Sequence, residues 1–378
     1  MDKRGYQYFK VDEKDTEEKL FFRRMTVKNK VLILMLILSL AAMLLLSGCG
    51  SGNGEEDVIT LNFATFWPAT DFQVAEGHNA WIEEIESRTE GRVRIRMQAG
   101  EALLGAREIY EGVENRVADI GTTCPAYTPG LFPVTEAFEL PGLQNPNALA
   151  ASVTMHEGYK QLKEEGLMDE YEGVKVLMFW ATGPGDVMTT RPVNNLQDLQ
   201  GMEMRVVGGT IPTMEALGVS PVSMPMSESY VALNSGIVEG ILGPTDTIEG
   251  FKLGDVLTHI TKTPFLYNIV FMKVMNWDTW NSLPPDIQEI FEEVSEEFVE
   301  KYGKLRADYT NQGQEIGVQE GIEIIELSSS EEALWRERIE PVVENWIQSK
   351  EAAGLPARNI VEKVRELDAQ YSQEHGGY

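Results

Sequence analysis

The sequence has 378 residues, 43% of them apolar, with 32 Lys and Arg against 60 Asp and Glu, a formal charge of −28. That length allows two domains and a substantial core. So acidic a chain excludes nucleic acid as a partner, because phosphate binding needs a basic surface.

Arg23, Arg24, Lys28 and Lys30 precede an uninterrupted apolar run, VLILMLILSLAAMLLL over 31–46, and LSGC over 46–49 follows at once. A positive stretch, an apolar stretch slightly short for a comfortable membrane span, and small residues before a cysteine read as an export signal. The ending reads as a bacterial lipobox, cut before Cys49 with lipid on its sulfur. A plain anchor helix or a signal cut without lipidation would export the chain equally. Residues 1–48 are therefore set aside as a leader, with Met25 an alternative start, and 49–57 as a lipidated flexible tether. The expected location is outside the cytoplasm, lipid-anchored at the outer face of the cytoplasmic membrane or in the periplasm. Beyond the tether only Cys124 remains, so no intrachain disulfide is expected.

ITLNFATF (59–66) alternates Ile59, Leu61 and Phe63 on one side, a strand signal. Residues 72–89 place Val74, Ala75, Trp81, Ile82 and Ile85 at roughly helical spacing. RVRIRM (92–97) alternates again, EIYEGVENRV (108–117) is helical and ADIGTT (118–123) reads as a strand. This alternation is the pattern of a doubly wound α/β layer. KVLMFWA (175–181) opens a second such run, with MEMRVV (202–207) and SPVSMPM (220–226) as its next strands. Pro284 and Pro285 open a long helix over 284–309, striped by Ile287, Ile290, Phe291, Val294 and Phe298. Helices over 335–348 and 357–372 follow. A weak echo runs through the chain at an offset of 120: Glu108, Tyr110, Val113, Val117 and Asp119 match Glu228, Tyr230, Leu233, Ile237 and Glu239. Two similar halves would each give one wall of a cleft at their strand ends, where open α/β sheets bind ligands.

No catalytic constellation stands out. His78, His156, His259 and His375 lack metal-ligand spacing, and Cys124 has no local base. GPGDVM (183–188) fits neither a dinucleotide nor a phosphate loop and reads as a hinge-side turn. No catalytic residue, metal or cofactor is expected. What remains is Arg205, a permanent cation in the apolar run of a strand that gives way to Gly208 and Gly209. A buried guanidinium without a partner is costly. Either a carboxylate of the chain meets it or an acid arriving from outside does. Phe66, Trp67, Tyr127, Trp180 and Tyr267 stand at predicted strand exits, and aromatic walls with one charged anchor describe a small-molecule pocket.

Several stretches are similar to motifs of one family. They are RTEGRVRIRMQAGEALLG (88–105), EGVENRVADIG (111–121), YTPGLFPVTEAFELPGL (127–143), RPVNNLQDLQGMEMRVVGG (191–209), LGVSPVSMPMSESYVALNSGIVEG (217–240) and WNSLPPDIQEIFEEV (280–294). Taken together, from Leu61 to Leu327, the chain resembles the extracytoplasmic substrate-binding proteins of TRAP transporters, the C4-dicarboxylate-binding type. The resemblance implies an α/β fold of the type II periplasmic binding protein kind. Each of its two domains is a mixed sheet flanked by helices, with a long helix spanning the hinge. It places 58–180 and 267–306 in domain I, and 181–266 and 307–378 in domain II, with crossings near Trp180 and Tyr267.

The family's ligand carboxylate is bound by an arginine at the strand position that Arg205 occupies here. Matching the other motifs adds Phe66, Trp67, Thr123, Cys124, Tyr127, Trp180, Met226, Gly243, Asp246 and Tyr267 to the expected pocket. Many members carry a second arginine shortly after the strand read at 175–181, where this chain has ATGPGDVM. A second cationic clamp is therefore absent there, which favours a monocarboxylate or a 2-oxo or 2-hydroxy acid at least as much as a dicarboxylate. The implied partners are that small organic acid, the membrane subunits of a TRAP permease, and the membrane surface through lipid on Cys49. An ABC-type solute receptor, a ligand sensor of the same fold and an exported enzyme are the rival readings. The enzyme would need a base, nucleophile or metal site that the sequence does not offer.

Overall fold

The computed structural model describes residues 58–377, apart from Gln144, together with Met35. The expectations for the leader, for Cys49 and for the tether lie outside the described residues. Among the described residues no helix is long and apolar enough to cross a membrane.

The strands form two mixed sheets. The first has the order β2 (Val93–Gln98), β1 (Ile59–Thr65), β3 (Ile120–Thr123), β10 (Val270–Asn276), β4 (Val174–Ala181). The second runs β11 (Glu323–Glu326), β9 (His259–Lys262), β5 (Asp186–Thr189), β8 (Gly240–Gly243), β6 (Glu203–Val206), β7 (Ser220–Ser223). In each, the βαβ units pair in parallel, β1 with β2 and β3, and β6 with β7 and β8. A strand arriving from the other half then pairs antiparallel: β10 lies between β3 and β4, and β5 between β8 and β9. Strands covered on both faces read as continuous apolar runs, and β10 and β5 are buried throughout.

Ten α-helices cover these sheets among the described residues: α1 (Asn79–Arg88), α2 (Ile109–Glu114), α3 (Ala148–Glu164), α4 (Ile211–Ala216), α5 (Ser229–Asn234), α6 (Thr247–Gly250), α7 (Trp277–Ser282), α8 (Pro285–Gln319), α9 (Ser329–Ala352) and α10 (Ala357–His375). The helix expected over 284–309 continues as α8 to Gln319, a length of roughly 52 Å at 1.5 Å per residue. Its first half packs on α1, α3 and β4, and its second on α6 and β11, so it touches both sheets. Gly313 makes the second contact possible: a Cβ there would stand 2.2 Å from the Thr245 carbonyl oxygen. In contrast, α10 packs on α3 beside the first sheet, although it lies within 307–378, the segment expected beside the second.

Two short segments, 182–185 and 263–269, connect the sheets. They are tied to each other, because Thr182 N donates to Ile269 O at 2.9 Å and Ile269 N donates to Thr182 Oγ1 at 3.0 Å. The turn expected at 183–188 occupies 182–185 and then becomes β5.

The echo at an offset of 120 has a backbone counterpart. Helices α2 and α5, and strands β3 and β8, start 120 residues apart. Each helix ends in the same turn: Val117 N bonds Gly112 O and Arg116 N bonds Val113 O, as Ile237 N bonds Ala232 O and Gly236 N bonds Leu233 O. That turn needs a left-handed residue. Gly236 supplies it at φ 74°, whereas exposed Arg116 is forced to φ 59°. Arg116→Gly should therefore stabilise the protein by up to about 1 kcal/mol, the left-handed penalty less the extra chain entropy of glycine. Denaturant unfolding of both forms measures it, and an unchanged or lowered midpoint would count against it.

Candidate functional site

Arg205 is the central residue of β6, with Met204 and Val206 on either side and Val222 and Ile241 opposite it in the flanking strands. A strand interior fixes where its side chain leaves the sheet, and the residue is 1% exposed. Nε donates to the Met224 carbonyl at 2.9 Å. Nη1 has no hydrogen-bond partner, and among the described residues no acidic side chain forms an ion pair with this guanidinium. A buried donor left unmet costs about 1–3 kcal/mol, more when charged.

The aromatic residues form a row leading away from it. Tyr127 packs edge-on to Phe66 at 5.3 Å, Phe66 stacks on Trp67 at 4.0 Å, and Trp67 meets Phe271 at 4.9 Å. Trp180 stands 6.1 Å from Trp67 and 5.7 Å from Phe271, and its indole Nε1 has no partner. Phe271 was not singled out in the sequence, although the antiparallel register pairs it with Trp180. Burial pushes the Tyr127 phenol up to about 12, against the pull of the nearby Arg205 charge. Its hydroxyl accepts from Met226 N at 3.2 Å, joining a loop after β3 to the loop after β7.

Two further bonds cross between the halves beside this one: Arg107 Nη2 to Ser223 O at 3.0 Å and Ser227 Oγ to Glu101 Oε1 at 3.1 Å. The two halves are thus closed on each other.

The other expected residues divide into those beside Arg205 and those held elsewhere. Tyr267 is buried, its ring against Gly185 and its phenol pushed well up by burial with Arg205 pulling it back. Cys124 is buried and raised as a thiol by burial and then by Glu139, with both Arg205 and Arg306 opposing. It is a neutral thiol, not a nucleophile. Gly243 lies beside the Met226 methyl group, 3.5 Å from where a Cβ would stand. Thr123 spends its hydroxyl proton on Ala106 O at 2.7 Å. Asp246 is an ion-pair partner: Arg306 Nη2 lies 3.1 Å from its Oδ1, and Thr310 donates to its Oδ2 at 3.2 Å.

Besides Phe271, three residues at or near the site escaped the sequence reading. Arg306 is buried in α8, its guanidinium 4.8 Å from the Phe271 ring centre, with Nε and Nη1 unpartnered. Its signal was spacing, since 298, 302 and 306 lie on one helical stripe with Phe298 and Tyr302. Asp71, after β1, is pushed up to about 7 by burial and then by Asp246, against the Gln73 amide and Arg306. Glu139 is pushed up to about 8 by burial, and accepts from Val270 N at 3.2 Å and from Gly209 N. It thereby ties the start of β10 to the loop after β6.

A separate surface groove of about 1040 Å3 runs between α4 and α9, past Ile211, Pro341, Val342 and Trp346. None of its lining residues is Arg205 or belongs to the aromatic row.

The pattern of the bacterial extracellular solute-binding protein family 7, DctP, matches residues 63–350. The C4-dicarboxylate-binding periplasmic protein DctP of Rhodobacter capsulatus is 25% identical over 72% of this chain and 82% of its own. A TRAP solute-binding protein from an unidentified marine microbe, specific for aromatic acid ligands and solved with metahydroxyphenylacetate, superposes with a TM-score of 0.78. It is 26% identical, over 83% of this chain and 99% of that one. A TRAP periplasmic solute-binding protein of Bordetella bronchiseptica with bound mandelate gives 0.76 at 27% identity, over 82% and 99% of the chains.

Between the ordinary carboxylate range and pH 7–8, Glu139 and Asp71 hold more protons folded than unfolded, so stability falls as pH rises through that window. Calorimetric melting should show a midpoint that drops from about pH 5 to about pH 8, and Glu139→Gln should flatten the drop. A variant with the wild-type slope would remove Glu139 from this role.

Proposed function

The chain belongs to family 7 of the bacterial extracellular solute-binding proteins, and from that membership we propose that it captures an aromatic or other flat, apolar-bodied monocarboxylate on Arg205. It is a solute-binding protein of the TRAP transporter type that binds a carboxylate. One observation carries the finer reading: a buried guanidinium with an unpartnered Nη1 and no acidic partner among the described residues stands at the head of a row of packed rings. A guanidinium keeps its charge at any working pH and presents a fork that matches a carboxylate. Phe66, Trp67, Trp180 and Phe271, packed on one another, are the rings an aromatic ligand would meet, and Tyr127, Tyr267, Met226 and Gly243 would complete the surround. The relatives that bind aromatic acids and mandelate support this class over a dicarboxylate. So does the second cation, which is already paired with Asp246.

In the proposed cycle two lobes built on the two sheets swing on the linked segments 182–185 and 263–269. The first lobe is 58–180 with 267–306 and α10; the second is 181–266 with 307 to the end of α9. Ligand selects the closed arrangement, whose interlobe bonds include those of Tyr127, Arg107, Glu101 and Arg306. Closure removes water from the ion pair and strengthens it. The closed form then delivers the acid to a TRAP permease driven by an ion gradient. The leader at 1–48 exports the chain and lipid on Cys49 holds the protein at the membrane surface, a reading supported by the apolar run and LSGC.

Residues 57–378 form one compact unit and suit a thermal-shift screen against small organic acids. An aryl monocarboxylate at 100 times its dissociation constant should add about 2.7 kcal/mol. Arg205→Lys should weaken that ligand at least about 10-fold, because an ammonium cannot reproduce the fork. Stabilisation by aryl acids that survives Arg205→Ala would overturn the assignment.

A further inference from the structure

Arg306 is buried to 2% exposure, yet only Nη2 of its guanidinium is satisfied, by Asp246. Nε and Nη1 have no partner. An arginine kept only as a strut between α8 and the loop after β8 would have its remaining donors met as well. Its place is also informative. The row Tyr127, Phe66, Trp67, Phe271 leads from Arg205 to Arg306, each step between 4.0 and 5.3 Å, and the last ring lies under the Arg306 guanidinium. Both arginines lie within electrostatic reach of the Cys124 thiol and the Tyr267 phenol. Two other buried polar groups near this end also lack partners: Trp180 Nε1, and the side-chain amide of Gln73 next to Asp71.

Charge decides what kind of group fits there. Asp246 already pairs with Arg306, and the Asp71 carboxyl faces both. An incoming carboxylate would set a third acidic group around one cation. A neutral oxygen would accept from Nε and Nη1 without adding charge. We propose that Arg306 is a second ligand anchor, at the opposite end of the aromatic row from Arg205, which accepts a neutral oxygen. The preferred ligand is then an aryl acid bearing a hydroxyl or carbonyl oxygen remote from its carboxylate. This rests on the reading of Arg205 as the carboxylate anchor and adds the specificity at the other end.

The test is calorimetric titration of the compact unit with phenylacetate, its 3- and 4-hydroxy derivatives, and 3- and 4-carboxyphenylacetate. One hydroxy isomer should bind at least about 10-fold tighter than phenylacetate, since a site built to bond an oxygen rejects the analogue that lacks it. Neither carboxy derivative should match it. In the double variant Arg306→Gln with Asp246→Asn, which leaves no lone buried charge, both acids weaken. The ratio between the hydroxy isomer and phenylacetate should fall below about 3-fold. Thermal unfolding verifies that the variant is folded. Should it not fold, Arg306→Lys keeps the charge without Nη1 and should lower the same ratio.

A wild-type ratio near one for both isomers, a ratio unchanged in a folded variant, or preference for a carboxy derivative would each overturn the second anchor. Tight binding of phenylacetate with a ratio near one sinks Arg306 alone. If the wild type binds none of these acids, or Arg205→Ala leaves their affinities intact, the carboxylate anchor fails and the second anchor falls with it.

Discussion

A guanidinium taken out of water without a carboxylate to meet it is the constraint around which this structure is arranged. Arg205 lies in the interior of a strand, so its side chain cannot swing to the surface. Met224 O satisfies one donor and Tyr127 stands near, but no protein charge neutralises the cation among the described residues. A fold tolerates such a group when something else repays it, and truncating one partner of a desolvated charge pair costs about 2–5 kcal/mol in binding systems. On the proposed reading, the stability surrendered at Arg205 is recovered when an acid arrives, so that ligand binding and closure would share one free-energy source.

The contrast with Arg306 sharpens the point. Both arginines are buried beside the same aromatic row, and both act on Cys124 and Tyr267. Arg306 has its counter-charge from the loop after β8, while Arg205 has none among the described residues. A site with two open cations would select dianions. In the proposed site, one open and one neutralised cation, with rings between them, would favour a single charge on a flat body.

Much of this was legible in the sequence because the signals were local. Alternation marked β1 and β2, and Arg205 stood out as a charge within an apolar strand. The stripe from Ile287 to Phe298 gave the long helix but stopped ten residues short of its end. Beyond Tyr309 the helix packs beside the second sheet, and the partners that hold it are distant in sequence. Phe271 and Arg306 were hidden for the same reason. Each is an ordinary residue of its own element, and becomes part of the site only when β4 pairs with β10 and α8 crosses between the sheets. Asp246, expected in the pocket, pairs with Arg306, and sequence does not say which cation a carboxylate meets. Gln319 and α10 teach the complementary lesson: where a helix ends, and which neighbour it covers, are tertiary facts.

The net charge of −28 poses a last question, since the ligand is itself an anion. At physiological salt, exposed charges are screened beyond about 8 Å. The acidic surface therefore keeps copies of the protein apart without governing events inside the cleft. A cation on the surface would be surrounded by these carboxylates and compensated by them, as Arg88 and Arg358 are, each paired with glutamates on neighbouring helical faces. Only a cation carried by a buried strand escapes that competition. Burial is therefore what lets so acidic a protein keep the positive charge of Arg205 free of its own surface carboxylates.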